Sequence, residues 1–232
     1  YLLVDERTRI TTNLQNYGFF RFSNIYIKYR IDTSFMQHAC DITVEIINRV
    51  VPSFDNFTTV EQVPHKRYFI NDIYIYPEFD HLVTFTGKYD TLVKTYDSPV
   101  KNQPSNTYYF LFKDRFMVKP RTIAQSIFII PNSHYNMKDV NQTYSQLNGL
   151  GVFKYINIQF KEVDDDVTKT GKKKDLVNCH VELSRAPAQS FSATTDGTNS
   201  GGAFGVQGSL GYMNRNIFRG AELLRLNLTG SL

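Results

Sequence analysis

Toward its C-terminus the chain alternates between apolar and polar positions. In "GAFGVQGSLGY", Phe204, Val206, Leu210 and Tyr212 stand against Gln207 and Ser209; in "LLRLNL", Leu224, Leu226 and Leu228 stand against Arg225 and Asn227. A period of two marks strands with two unlike faces. Further upstream the period changes. Met137, Val140, Tyr144 and Leu147 recur at spacings of three and four behind Asn136, a residue type that caps helix N-termini. Ile10, Leu14 and Tyr17 do the same behind Asp5. "KPRTIAQSIFII" (119–130) predicts another helix, with Pro120 suited to the first turn and Pro131 stopping it. "RYFINDIYIYP" (67–77) reads as a strand.

Two of these segments repeat. "LQNYGFFRFSNIYI" (14–27) lies over "LNGLGVFKYINIQF" (147–160), with Leu14 on Leu147, Gly18 on Gly151, Phe20 on Phe153 and Asn24 on Asn157. A glycine follows each helix where a left-handed C-cap is wanted: Gly18 in one copy, Gly149 or Gly151 in the other. Each copy then continues as strand, polar turn and strand, the second turn being "DDDVTKTGKKKD". Cys40 and Cys179 fall in the last strand of their copies and are expected as buried thiols in equivalent cores. A disulfide between them is the alternative in an oxidising compartment. With the upstream strand and helix, the full unit is β-α-α-β-β, two helices on a three-stranded sheet. Leu14 and Leu147 are both expected to be buried under it. The first copy lacks its opening strand and helix. The implied organisation is a C-terminal part of one such domain at 1–51, a linker at 52–66, a second domain at 67–186 with an inserted loop at about 78–110, and a run of strands from 187 to 232. Within the insert, "TYYFLF" is a candidate strand.

Composition narrows the function classes. The 232 residues are 41% hydrophobic and 21% charged, enough for a sizeable core in water, and 15 Tyr with 18 Phe favour β-structure. The net charge of +4 comes from 26 basic and 22 acidic residues scattered along the chain, which argues against a nucleic-acid partner. No apolar run is long enough for a membrane helix. The histidines (His38, His65, His81, His134, His180) form no HExxH and no close pair, and the two cysteines have no zinc spacing, so no metal or other cofactor is expected. The glycines of "GAFGVQG" resemble a dinucleotide loop in spacing, but a strand pattern runs through them. Asp164–Asp166 could attract a cation, yet Lys172–Lys174 lies across the same turn. No nucleophile elbow or P-loop is present. No catalytic constellation emerges, and a non-enzymatic role is expected.

The helix ending in "LxxxGxF" ahead of a strand pair resembles the POTRA domain of outer-membrane assembly factors of the BamA and TamA type. "DGTNSGG" (196–202) and "NRNIFRGAE" (214–222) resemble the start of that family's barrel, where a Gly-rich strand leads through an "RNxFRGxE"-like turn into the next strand. The resemblance implies an α+β fold: tandem POTRA-like β-α-α-β-β domains followed by the first strands of a truncated transmembrane β-barrel. Closure of a bacterial barrel takes at least about eight strands, and only about three fit after Pro187. Leu224, Leu226 and Leu228 would face lipid and Arg225 and Asn227 a polar lumen. The implied location is the outer membrane, with 1–186 in the periplasm. Implied partners are unfolded outer-membrane proteins, the outer membrane through the barrel, and periplasmic accessory proteins. Clients would be bound by β-augmentation at the strand after the second helix. That assigns Asn24, Ile25 and Ile27 in one copy and Tyr155, Ile156, Ile158 and Phe160 in the other. In the turn, Arg215, Arg219, Gly220 and Glu222 are expected to set barrel register, with a positive φ at Gly220 and a pairing of Arg219 with Glu222. A partner-specific secretion transporter of the same superfamily, or a soluble β-rich binding module, remains the alternative.

Overall fold

The computed structural model describes residues 2–36, 39–52, 60–80, 89–113, 115–163, 175–200 and 203–231. His38, His81, Asp164–Asp166 and Lys172–Lys174 lie outside the described residues. The chain divides into two compact units, one made of 1–71, 132–139 and 162–177, the other of 72–131, 140–161 and 178–232.

The first unit opens with helix α1 (Leu2–Asn16), which buries no residue completely. Leu14 is therefore only half-buried, in contrast to the burial expected for it. The helix ends on Gly18 at φ +100°, the left-handed cap the sequence calls for. The Gly18 carbonyl accepts the Tyr68 N–H at 2.9 Å, and the Tyr68 carbonyl accepts the Tyr135 N–H at 2.9 Å. Strands β1 (Ile27–Met36) and β2 (Ala39–Ile46) form an antiparallel pair. Cys40 on β2 is exposed, because this two-stranded sheet does not enclose the side chain, whereas its counterpart Cys179 is fully buried; both thiols are free. The expected linker at 52–66 instead carries structure: β3 (Arg49–Pro52) pairs with β4 (Val60–Val63). Phe22, Ile27, Tyr68, Ile70, Tyr135 and Val177 are its main buried side chains. Glu162 binds both the Arg21 Nε, at 2.5 Å, and the Tyr68 hydroxyl, which donates at 2.8 Å. Burial, then this bond to Glu162, pushes the Tyr68 phenol up to about 12.

Strands β5 (Tyr68–Tyr76), β6 (Asp90–Tyr96), β7 (Asn106–Phe112), β8 (Phe153–Glu162) and β9 (Asp175–Arg185) make a sheet in the order β6-β7-β5-β9-β8. Three strands were expected, with "TYYFLF" in the insert as a candidate fourth, and the sheet has five. β7 is the candidate strand "TYYFLF" and β6 was not expected; the two pair antiparallel, and β7 joins β5 in parallel. Alternation in "NTYYFLF" drives this: Asn106, Tyr108 and Phe110 are buried, and the residues between them are not.

In the second unit the core contains Ile73, Ile75, Tyr108, Phe110, Val181 and Leu183 from strands, and Ile123, Ile127 and Leu147 from the helical segments. Helix α2 covers only Pro120–Ala124, not 119–130. The β-branched run that follows leaves the helix, and the Phe128 N–H is taken by the Thr143 hydroxyl at 2.9 Å instead of by a helical carbonyl. Helix α3 (Met137–Gly149) starts behind Asn136, whose side chain accepts the Lys138 N–H at 2.9 Å. Its left-handed residue is Gly151 at φ +66°, not Gly149. Tyr109, Tyr74 and His180 stack across β7, β5 and β9, with ring centroids 5.2 and 5.1 Å apart. Burial, and then the nearby Lys161 charge, pulls His180 down to about 4.

Strands β10 (Gln189–Ser200), β11 (Ala203–Asn214) and β12 (Leu224–Ser231) form a separate antiparallel sheet in that order.

Candidate functional site

Two surfaces carry the expected functional residues. The first is a sheet edge. Strand β8 ends the five-stranded order, so among the described strands none pairs with its outer side. Tyr155, Ile156, Ile158 and Phe160 all lie in β8 and are all half-buried. On its inner side, the Val163 N–H is accepted by Leu176 at 3.0 Å. Backbone groups alternate along a strand, so counting back from Val163 places those of Ile158 on the outer edge. Asn157 and Gln159 reach the other way. Their side-chain amides donate to the buried Glu182 carboxylate at 2.9 and 3.4 Å, bracing the edge strand against β9.

In the first copy the match is partial. Asn24 and Ile25 are not in a strand: Asn24–Tyr26 is a 3₁₀ turn, and β1 begins at Ile27, whose side chain is buried. Packing explains the difference. Phe22 and Tyr26 both contact His65, at 4.8 and 4.7 Å, and lie 5.9 Å from each other. Residues four apart in an extended strand would be separated by about 13 Å. Among the described strands, β1 pairs with β2 alone.

The second surface is the β10–β11–β12 sheet. Register fixes its faces. Phe191, Tyr212 and Leu226 lie in line across the three strands, as do Ala193, Leu210 and Leu228. Phe204, Val206 and Leu224 share that face. The other face carries Ser192, Thr194, Ser209, Arg225, Asn227 and Thr229. The apolar face is uncovered: Phe204 is 88% exposed and Leu228 72%. Gly211 falls between Ser192 and Asn227 on the polar face, where a Cβ would strike the Ser192 hydroxyl.

The turn between β11 and β12 departs from expectation in two ways. Gly220 does not have a positive φ; Arg219 (+65°) and Ala221 (+66°) on either side of it do. Gly220 leaves room instead: a Cβ there would meet the Glu222 carboxylate, the far end of a flexible side chain that would have to move aside. Among the described residues no ion pair joins Arg219 to Glu222. The carboxylate is engaged by backbone, accepting the N–H of Gly220 at 3.0 Å and of Phe218 at 3.1 Å. Its own N–H, then those of Gly220 and Phe218, hold it below the usual carboxylate range. Asn216, not singled out from the sequence, ties the turn together. Its amide donates to the Met117 carbonyl at 2.7 Å, and its side-chain oxygen accepts the Ala221 N–H at 3.1 Å. The Arg219 carbonyl accepts the Lys119 N–H at 2.8 Å, so the turn is fastened to residues 117–119 at two points. Asparagine in a tight turn was the available signal.

No protein-family model and no curated protein matches the sequence. Among solved structures, the chain is similar to BamA from Haemophilus ducreyi lacking POTRA domains 1-3, with a TM-score of 0.52 and 12% identity. The match covers 99% of this chain and 31% of that one, so the chain spans less than a third of that BamA structure. CdiB from Acinetobacter baumannii gives a TM-score of 0.39 at 15% identity, over 54% of this chain and 24% of that one. The BamA likeness shows the fold: mixed α+β, mostly strands, running through to the two-faced C-terminal sheet.

Proposed function

We propose that this chain is part of an outer-membrane protein assembly or insertion factor, with POTRA-like domains in the periplasm and the first strands of a transmembrane barrel after Pro187. The observation that carries this reading is the β10–β11–β12 sheet, whose aligned apolar residues are exposed on one face while serines, threonines, Asn227 and Arg225 fill the other. That pattern suits a barrel wall between lipid and a wet lumen. The BamA-like fold over 99% of the chain supports it. The role is non-enzymatic. Unfolded outer-membrane polypeptides add as strands to the outer edge of β8, and to β1 from Ile27 onward, through backbone hydrogen bonds that tolerate many client sequences. Periplasmic accessory proteins are further partners of the soluble domains.

The test is photo-crosslinking. A benzophenone side chain at the exposed Lys161 should capture a urea-unfolded porin polypeptide. Ile158→Pro removes an outward N–H, and proline is tolerated on an edge strand; that variant should keep its circular dichroism and lose the crosslink. Equal crosslinking by folded Ile158→Pro would overturn the augmentation reading.

A further inference from the structure

The apolar face of the β10–β12 sheet stops at a defined level. Near the start of β10 and the end of β11 it carries an aromatic pair, Phe191 and Tyr212, ring centroids 5.0 Å apart, with Leu224 alone on the last row before the turn. Immediately beyond, the β11–β12 turn changes character. Arg215, Arg219 and the nearby Arg185 line a cavity of about 150 Å³ together with Asn216, Ile217 and Met117. Their charges are weakly met. Arg215 reaches the Pro187 carbonyl at 3.4 Å, and Arg185 is 3.7 Å from Glu78. Among the described residues Arg219 has no carboxylate within ion-pair distance, because Glu222 faces the turn's own N–H groups. Beside these cations Ile217 is 40% exposed and Phe218 69%.

Cations alone would suit any anion, and apolar side chains alone any greasy surface. Side by side, just past an aromatic pair near the end of an apolar wall, they fit a lipid headgroup at a membrane boundary. We infer that the β11–β12 turn, through Arg215, Arg219 and Arg185, binds the phosphate of an anionic phospholipid while Ile217 and Phe218 enter the acyl boundary. This rests on the barrel reading above. A free phosphate would leave Ile217 and Phe218 uncovered, so the lipid is the occupant. The fastening of the turn to residues 117–119 makes such a contact set the depth of the neighbouring domain as well as of the strands.

The experiment is vesicle flotation of the full chain, using vesicles of phosphatidylcholine alone and vesicles with phosphatidylglycerol added. The chain should partition more strongly onto the anionic vesicles. Arg215→Gln/Arg219→Gln should lower that partitioning on the order of 20-fold, two cations' worth at an anionic surface. Its binding to phosphatidylcholine should be unchanged, and an unchanged far-UV circular dichroism spectrum shows the variant folded. Phe218→Ser should weaken binding to both vesicle types. A double variant that retains the full anionic preference overturns the headgroup assignment and leaves the barrel reading standing. Failure of the parent chain to bind either vesicle overturns both.

Discussion

Truncating Leu147 and Leu14 in turn separates two positions that the sequence repeat treats as equivalent. Leu147 on α3 has no solvent exposure, whereas Leu14 on α1 is half-buried. Leu147→Ala removes three carbons from the core, about 2.4 kcal/mol at roughly 0.8 per carbon. A residual cavity of about 50 Å³ adds about 1.2 kcal/mol at roughly 24 cal/mol per Å³, for a total of about 3.5 kcal/mol. Leu14→Ala loses about half the transfer term and leaves no closed cavity, so about 1 kcal/mol is expected. Urea unfolding at pH 7, followed by far-UV circular dichroism and by tyrosine fluorescence in this chain with 15 Tyr and no Trp, gives both numbers. An unchanged urea slope shows that the change lies in the native state. Equal losses at the two positions, or a Leu147 loss below about 1 kcal/mol, would refute the assignment of α3 as the covering helix of a packed sheet and α1 as a half-partnered one.

Two further perturbations follow from the structure. His180 has its folded pKa depressed to about 4 against an ordinary 6.5, so the unfolded chain binds the extra proton between those values. Stability should therefore be full above pH 6.5 and fall as the pH drops toward 4, by about 1 kcal/mol once the ring's partial exposure to solvent is allowed for. His180→Phe should remove that part of the slope in urea titrations, and an unaltered slope would assign the pH dependence elsewhere. In the β11–β12 turn, Asn216→Ala deletes two side-chain hydrogen bonds and should cost about 2 kcal/mol. Gly220→Val displaces the Glu222 carboxylate from its N–H partners, a smaller loss because that side chain can swing outward. Heat-modifiable gel mobility in membranes should show impaired barrel assembly for both, more so for Asn216→Ala; wild-type mobility in Asn216→Ala would reduce the turn to a surface loop.

Local signals in the sequence were legible where one residue type had one physical use. Asn136 at a helix start, Gly18 at a helix end and the leucines of "LLRLNL" each read correctly, because caps and two-faced strands are decided within a few residues. Within 90–112, "TYYFLF" reads as a strand from its own alternation and is one, whereas β6 was not legible because "DTLVKTY" mixes polar with few apolar residues and is specified by its pairing with β7. The 3₁₀ turn at Asn24–Tyr26 depends on His65, about forty residues away in sequence. At the turn, "FRG" suggested a glycine with positive φ. The structure puts that conformation on Arg219 and Ala221 and uses Gly220 for room beside a carboxylate, a choice set by where Asn216 and Glu222 find hydrogen bonds.

The most direct measurement of the membrane-wall reading takes Leu224, Arg225, Leu226, Asn227 and Leu228 one at a time as cysteine, after Cys40 and Cys179 are replaced by serine and alanine. Each carries a spin label in the protein assembled in outer-membrane preparations, and its accessibility to oxygen and to a water-soluble nickel chelate is recorded. A barrel wall requires positions 224, 226 and 228 to favour oxygen, and positions 225 and 227 to favour the nickel chelate, in register with the faces set by β11. Five positions equally open to the nickel chelate, or no alternation at all, would contradict it.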